Sequence, residues 1–364
     1  MTGDRAKTQF PGNFWACGIG SLPHIDPQPA LELIAATLPQ IPHWPQLPRR
    51  GHVEHFLYQS LLPLIKLGLI HEPPGGTAYF TTGAADWADK LTAFYELFLR
   101  AAEGEGEALE YFAITPEAGR GFYAFIDWLE GGGAAEARFL KGQVAGPLSA
   151  GLYLTDSAGH YAFYEPQLRD LIVKTTALQA RWQARVLGRF GLPAVIFVDD
   201  PAAAAYGSST HVALRREEAV EALAAVAEEI KEEGGIPGAH SCSGVEWPIF
   251  FEAGFRVVSF DAYNYFTSLQ VFPREVGEFL AGGGVLAWGI VPTHEGAWQE
   301  TARSLQERLQ GCLEEMARRG VNRERLYRQG LVTPSCGTGV LAEPLAEHIY
   351  GLTAEVAAAM QQAV

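Results

Sequence analysis

Three residues in the second half of the chain carry groups that bind soft metal ions. His240 and Cys242 alternate at the end of an apolar segment that predicts a strand, and Cys336 follows the last predicted strand. Residues i and i+2 of an extended segment point the same way, so the imidazole and the thiol can face one ion. Zinc favours cysteine sulfur and histidine nitrogen, and a catalytic zinc keeps one position open. We therefore expect His240, Cys242 and Cys336 to be ligands of one catalytic zinc ion.

The His-x-Cys pair alone is also compatible with a buried histidine beside an inert thiol. Cys336, in a loop beside Gly337, strengthens the metal interpretation. Asp261 follows the predicted strand between these ligands and is expected to be a fourth, exchangeable ligand. A site with two thiolates keeps a bound sulfur electron-rich, which favours alkyl transfer to sulfur over hydrolysis.

Two further strand ends carry polar groups. Asp199 and Asp200 follow an apolar run, and two adjacent carboxylates are costly unless a cation, such as a substrate ammonium group, faces them. The alternative is a helix N-cap, because Pro201 follows directly. Gly20 and Ser21 can offer backbone N–H groups to an anion, or can simply form a tight turn.

The other two cysteines and most of the histidines show no pattern typical of a catalytic or metal site. Four cysteines in 364 residues form no disulfide framework. Cys17 is expected in a strand core, and Cys312 on the apolar face of a helix. We expect surface or loop positions for the histidines of the first third, which show no metal-binding spacing: His24, His43, His52, His55 and His71.

Composition excludes several classes of protein. The 364 residues are 48% hydrophobic and 19% charged, which suits a folded chain with a large core. A formal net charge of -15 without a basic cluster argues against nucleic-acid binding. The polar N-terminus is no secretory signal, and no apolar run spans a bilayer. We expect a soluble cytoplasmic protein without a membrane partner.

Strand and helix patterns alternate along the chain. Strands are predicted at 14–20, 139–145, 194–198, 236–240, 256–260, 284–290 and 331–333, with 41–47 a strand or an extended loop. Helices are predicted at 27–38, 53–67, 84–102, 116–129, 165–190, 215–233, 246–253, 268–280, 295–319 and 341–363. Repeated strand–helix units predict parallel strands with crossover helices.

We therefore predict an α/β fold, a single (β/α)8 TIM barrel over residues 1–364. Residues 49–113 are the least regular, and we expect a lid insertion there. The active site of this fold lies at the C-terminal ends of the strands, where the polar groups above fall.

These residues together resemble the catalytic half of cobalamin-independent methionine synthase. More broadly, they resemble the superfamily that also holds uroporphyrinogen decarboxylase and the zinc methyltransferases of methanogenesis. Residues 18–23 (Gly-Ile-Gly-Ser-Leu-Pro) are similar to the strand-one motif, 143–148 to the Gly-Pro-Leu strand, and 198–202 to the Asp-Glu-Pro-Ala segment. The resemblance runs from Gly18 to the last helix.

The resemblance implies roles for single residues. His240, Cys242 and Cys336 match zinc ligands, and Asp261 falls where the synthase has its zinc glutamate. Asp199 matches the catalytic-site aspartate that receives the substrate ammonium, and the backbone at Ile19 and Ser21 matches the carboxylate site. Gln46 stands where a substrate-binding glutamate is expected.

Two departures from the family affect the expected reaction. The family histidine for proton transfer is missing from 287–292, although His294 is nearby, and 76–83 has no counterpart of the folate-binding Ser-Arg region. We expect a zinc-dependent methyltransferase, in methionine biosynthesis or close to it, in which homocysteine or a similar thiol attacks a methyl donor. The donor is methylfolate or a methyl-corrinoid protein. The alternatives are a corrinoid-dependent methyltransferase of another thiol, a metal-free uroporphyrinogen-decarboxylase-like enzyme, and a non-catalytic zinc sensor.

Overall fold

The strands and helices alternate as the sequence predicts. The structure is a computed structural model that describes residues 10, 12–73, 76–208 and 211–363. Its strands are β1 (Trp15–Ala16), β2 (Ile70–His71), β3 (Tyr79–Phe80), β4 (Leu140–Ala145), β5 (Ala194–Asp199), β6 (Ile236–Ser241), β7 (Val257–Phe260), β8 (Val285–Val291) and β9 (Gly330–Pro334).

Helices follow most strands. They are α1 (Pro27–Thr37), α2 (Phe56–Lys66), α3 (Trp87–Ala102), α4 (Gly106–Glu110), α5 (Arg120–Glu130), α6 (Pro147–Tyr153), α7 (Pro166–Gly188), α8 (Arg216–Glu232), α9 (Pro248–Glu252), α10 (Ala262–Leu269), α11 (Pro273–Ala281), α12 (Ala302–Arg318), α13 (Arg323–Arg328) and α14 (Glu343–Gln361). Short 3-10 helices lie at Pro48–Arg50, His52–Glu54, Ala162–Tyr164, Pro201–Ala205 and Glu295–Gln299. Within the described ranges, no helix is both long and apolar enough to cross a membrane.

The main sheet is parallel and curled. Its strand order is β1-β9-β8-β7-β6-β5-β4 in the described part of the chain, and every neighbouring pair runs parallel. Each sequential pair from β4 to β9 lies side by side, as crossover helices require. The predicted parallel α/β architecture is therefore present, as a curled half-barrel of seven strands.

The eighth strand position has no continuous ladder. The 41–47 segment makes isolated parallel bridges between Ser21 and Gln46 on one side and between His43 and Lys141 on the other. Pro42 and Pro45 lack the N–H groups that a ladder needs, which explains why the segment forms bridges rather than a strand. The structure does not show the predicted closed eight-stranded barrel, and β1 is only two residues long.

Alternate residues of the strands point to the inside of the curl. An inner cluster of buried side chains contains Cys17, Ile41, Phe139, Val195, Phe197, Ile236, Val257, Val285, Ala287 and Leu331. Continuing the same alternation toward the C-terminal ends brings Gln143, Asp199 and His240 to the top of this interior. The helices cover the outside with a larger apolar core.

Two predicted helices have different bounds in the structure, because of local starting signals. The predicted 268–280 helix is replaced by α10 and α11, and Pro273 occupies the first turn of α11. The predicted 295–319 helix begins at Ala302, after a capping box between Thr301 and Ser304. The 49–113 region contains α2, the antiparallel pair β2–β3, α3 and α4. Its role as a lid stays a prediction.

Candidate metal and substrate site

The structure brings the three predicted soft ligands together. His240 lies near the C-terminal end of β6, Cys242 follows it by two residues, and Cys336 follows β9. The ligand atoms of these three side chains all lie within 4.8 Å of one another. His240 is buried, and both cysteines are half-buried. The sheet therefore supplies one nitrogen and two sulfur ligands at one point.

A neighbouring strand orients the histidine. Ser259 lies opposite His240 in the β6–β7 register, and its Oγ is 3.0 Å from Nδ1 of His240. Nε2 of His240 is buried and has no hydrogen-bond partner in the part of the chain that the structure describes. With the proton assigned to Nδ1, the lone pair of Nε2 is free to bind a metal, an arrangement typical of metal-ligating histidines.

The two thiols and the imidazole affect one another. The Cys336 thiol and, against the opposing effect of burial, the His240 side chain lower the pKa of Cys242. The neighbouring Cys242 and burial raise the pKa of Cys336. Both sulfurs are in reach of the buried imidazole. Nitrogen and thiolate donors that converge around an unpaired Nε2 suit zinc.

Asp261 does not join this group. It caps α10, where Oδ1 accepts a bond from Asn264 N and Oδ2 accepts one from Asn264 Nδ2, both at 2.8 Å. Burial raises its pKa. Among the described residues, only His240, Cys242 and Cys336 form a group with metal-site spacing. Ligation by Asp261 stays a prediction, and it would require the Asn264 bonds to be released.

A cavity of about 310 Å³ opens beside these ligands. Its wall contains the three ligands and each residue predicted to bind substrate: Ile19, Ser21, Gln46 and Asp199. Apolar side chains of Phe56, Ile114 and Val340 form much of the remaining surface. Residues from distant parts of the chain thus meet around one space, as expected for a small-molecule site. Their individual roles in substrate binding stay predictions.

The two adjacent aspartates have different surroundings. Asp199 faces the cavity, burial raises its pKa to about 6, and its Oδ1 is buried without a hydrogen-bond partner among the described residues. Asp200 accepts bonds from Leu148 N at 3.0 Å, Ser149 N at 2.8 Å and Ser149 Oγ at 2.6 Å. Asp200 therefore caps α6, not the 3-10 helix that follows it. The predicted cap of the helix after Pro201 is therefore wrong, since Asp200 caps a different helix, and the role of Asp199 toward a substrate cation stays a prediction.

The loop after β1 forms one side of the cavity. Gly20 has a φ of +146°, and a Cβ there would lie 2.7 Å from Cδ of Gln143. Only glycine meets both requirements. Ser21 connects this loop to the one after β9, because its O accepts from Thr338 N at 3.0 Å and its Oγ from Gly339 N at 3.2 Å.

The histidines of the first third do lie in loops or at the surface, but two of these loop positions are buried. His24 is buried, and His43 is fully buried between the Trp44 carbonyl and the Tyr350 hydroxyl. Burial lowers the pKa of His43 to about 3. His55 lines the cavity, and partial burial lowers its pKa. His294 is exposed and is not part of the cavity wall that the structure describes.

The cavity wall and the layer below it also contain polar residues that were not predicted to belong to the site. Gln59 from α2 and Gln179 from α7 line the cavity, and no motif identifies them. Lys141 is fully buried in β4 directly below Gln143. A signal for Lys141 was present, since it alternates with Phe139 and Gln143 and therefore points into the interior.

Comparison with known proteins adds little about function. No protein-family model and no curated protein sequence matches the chain. Among solved structures, it is similar to a B12-independent methionine synthase from Shewanella sp. W3-18-1 in complex with selenomethionine. The identity is 15%, the TM-score is 0.47, and the match covers 66% of this chain and 67% of the other.

It is also similar to a GH113 beta-mannanase from Alicyclobacillus acidocaldarius in complex with ManMIm. Here the identity is again 15%, the TM-score is 0.35, and the match covers 67% of this chain and 78% of the other. These two proteins have different activities, so the site itself must carry the functional argument.

Proposed function

We propose that this protein is a zinc-dependent methyltransferase that transfers a methyl group to a small thiol substrate. The observation that carries the proposal is the convergence of His240 Nε2 with the sulfurs of Cys242 and Cys336 at the wall of a cavity. An unpaired, buried imidazole nitrogen beside two thiols costs folding free energy unless a bound group pairs with it. The family resemblance of the strand-end motifs supports the same conclusion.

Zinc bound to these residues would supply a deprotonated, electron-rich substrate thiolate at neutral pH. The protein holds that site at the cavity, with Ser259 fixing the ring of His240. As metal ligands, the two cysteines would contribute two negative charges, which suit alkylation of sulfur better than a strongly Lewis-acidic site does.

The cavity offers complementary groups for an amino-acid thiol such as homocysteine. The unpaired carboxylate oxygen of Asp199 is suited to an ammonium group. The loop at Ile19 and Ser21 is suited to a carboxylate, and Gln46 lies in the same wall. Phe56 and Ile114 give part of the cavity an apolar wall, which would limit the access of water to the reacting groups. The methyl donor, a methylfolate or a methyl-corrinoid protein, would enter from the open side.

The test is the zinc content of purified protein and of matched cysteine variants. We expect about one zinc per chain in the wild type and a large loss in Cys242→Ser and Cys336→Ser. Cys312→Ser is the control, because Cys312 is buried in α12 away from the site. Zinc K-edge absorption should then gain a sulfur scatterer when homocysteine is added.

Methyl transfer is measured separately, by screening methylfolate and methylcobalamin as donors to homocysteine. Wild-type protein without zinc, or site variants with unchanged zinc, would refute the metal assignment. Bound zinc that never gains a thiol ligand would instead indicate the zinc-sensor alternative.

A further inference from the structure

A buried lysine lies immediately below the cavity. Lys141 is 0% exposed, and in the described part of the chain no carboxylate forms an ion pair with it. Burial lowers its pKa, while Cys17 and Asp199 oppose that effect. Burying an amine in a sheet interior is expensive, so its retention requires compensating contacts.

The contacts of Lys141 are directed at the loop after β1. Its Nζ donates to the Ile19 carbonyl at 2.6 Å and to Gln143 Oε1 at 3.2 Å. Nζ also lies 4.4 Å from the centre of the Phe197 ring. Gln143 Nε2 donates to the Trp44 carbonyl at 3.1 Å. Lys141 is therefore held at the seam between the first loop and the 41–47 segment.

These contacts determine how one peptide group is oriented. In a trans peptide the carbonyl and the following N–H point in opposite directions, and the described chain has no cis peptide. Since the Ile19 carbonyl points to Lys141, the Gly20 N–H points away from it. No protein acceptor for the Gly20 N–H is present among the described residues. A donor bound to the carbonyl also strengthens the N–H of the same peptide group.

We propose that Lys141 is the positioning residue for a substrate carboxylate, because it orients and polarises the Ile19–Gly20 peptide at the cavity wall. This rests on the proposed function, in which the substrate is an amino-acid thiol. It adds a residue outside the cavity wall that selects thiols with a carboxylate over thiols without one. Lys141 acts through the peptide and does not itself contact the substrate.

The test compares two ligands that differ only in the carboxylate: methionine and 3-(methylthio)propylamine. Calorimetry measures both affinities on the full-length protein, as purified and after chelation of metal. We expect wild type to prefer methionine, and Lys141→Met to reduce that preference about tenfold with the affinity for the amine nearly unchanged. Lys231→Met removes an equal charge from exposed α8 and should leave both affinities unchanged.

If Lys141 only stabilises the fold, Lys141→Met should lower the affinities for both ligands equally, and that result would overturn the proposal. So would a wild-type protein that shows no preference for methionine. If Lys141→Met does not fold, Lys141→Gln, which removes the charge but keeps N–H donors, is judged by the same ratio of affinities. The measurement on chelated protein needs neither zinc nor methyl transfer, so failure of the metal assignment and failure of this inference are distinguishable.

Discussion

At the scale of single residues, the chemistry of the site depends on which polar atoms already have hydrogen-bond partners and which are free. Ser259 directs Nε2 of His240 to the two sulfurs, and Asn264 engages Asp261. Asp199 is left with an unpaired oxygen, whereas its neighbour Asp200 is fully used as a helix cap. His240 Nε2 and Asp199 Oδ1 can therefore bind a metal or a substrate group, because no neighbouring residue among those described uses either atom.

Ser259→Ala should weaken zinc binding about 10- to 100-fold, because it removes the partner that fixes the tautomer and orientation of His240. Ser241→Ala is the matched control. The hydroxyl of Ser241 is also buried, but it has no partner in the described residues, so its loss should leave zinc affinity unchanged. Competition with a chromophoric chelator measures both constants. Equal effects of the two substitutions would contradict the orienting role.

Asp200 should give the stability a distinct pH dependence. Burial raises its pKa to about 7, against about 3.9 in an unfolded chain. The folded protein therefore binds this proton more tightly than the unfolded chain does. The resulting contribution to stability is complete below about pH 4 and is lost as the pH rises to about 7.

Asp200→Asn removes this titration. Between pH 5 and pH 8 we expect the free energy of unfolding to fall more in wild type than in the variant, as measured by urea denaturation. Other titrating groups are common to both proteins and cancel in the comparison. Parallel pH profiles would show that Asp200 is already ionised throughout this range in the folded protein.

At the scale of elements, the site depends on the loops that follow β1, β5, β6 and β9. In the loop after β1, the backbone conformation of Gly20 and the close approach of Gln143 both exclude a side chain at this position. The loop after β1 is therefore a packed part of the structure, not a freely variable connection.

Gly20→Ala should reduce the free energy of unfolding by about 2–4 kcal/mol, of which about 1 kcal/mol is backbone strain and the rest overpacking against Gln143. Gly159→Ala separates the two effects. Gly159 has a φ of +91°, but a Cβ there would meet nothing within 4 Å, so only the strain of about 1 kcal/mol should appear. Urea denaturation measures both. A similar loss at both positions would argue against the close contact.

At the scale of the whole molecule, the seam of the curled sheet combines isolated backbone bridges with side-chain hydrogen bonds. Gln183 of α7 accepts from Trp44 Nε1 at 3.0 Å and from Gln143 N at 3.2 Å, and its Nε2 donates to the Gln143 carbonyl at 2.8 Å. One fully buried amide thus connects the 41–47 segment, β4 and α7.

Gln183→Leu should cost about 2–4 kcal/mol of stability, because it leaves several buried groups unpaired. It should also speed hydrogen exchange in the 41–47 segment relative to β5 and β6. Gln306→Leu is the control, since half-buried Gln306 makes one bond, to the Ala359 carbonyl, and its loss should cost less than about 1 kcal/mol. Unchanged exchange in the segment would show that the seam does not depend on Gln183.

The sequence alone determined those parts of the site that follow from local periodicity. Alternation along a strand places His240 and Cys242 on one side, and strand ends identify Asp199, Ile19 and Ser21 as neighbours of a common opening. The apolar runs and helical patterns likewise predicted the strands of the main sheet and most of the described helices, but not β2, β3, α4, α6, α10 or α13. These features depend only on the chemistry of a short stretch of chain.

Only the tertiary structure decided which partners those residues meet. In the fold, Cys336 lies close to His240 and Cys242. Asp200 caps α6, and Asp261 accepts hydrogen bonds from Asn264. The physical reason is that contacts between distant segments depend on strand register and helix packing, which no local pattern specifies. Local sequence therefore predicts the pair His240 and Cys242. The approach of Cys336, the orientation of the imidazole and the cavity beside the ligands are properties of the folded molecule.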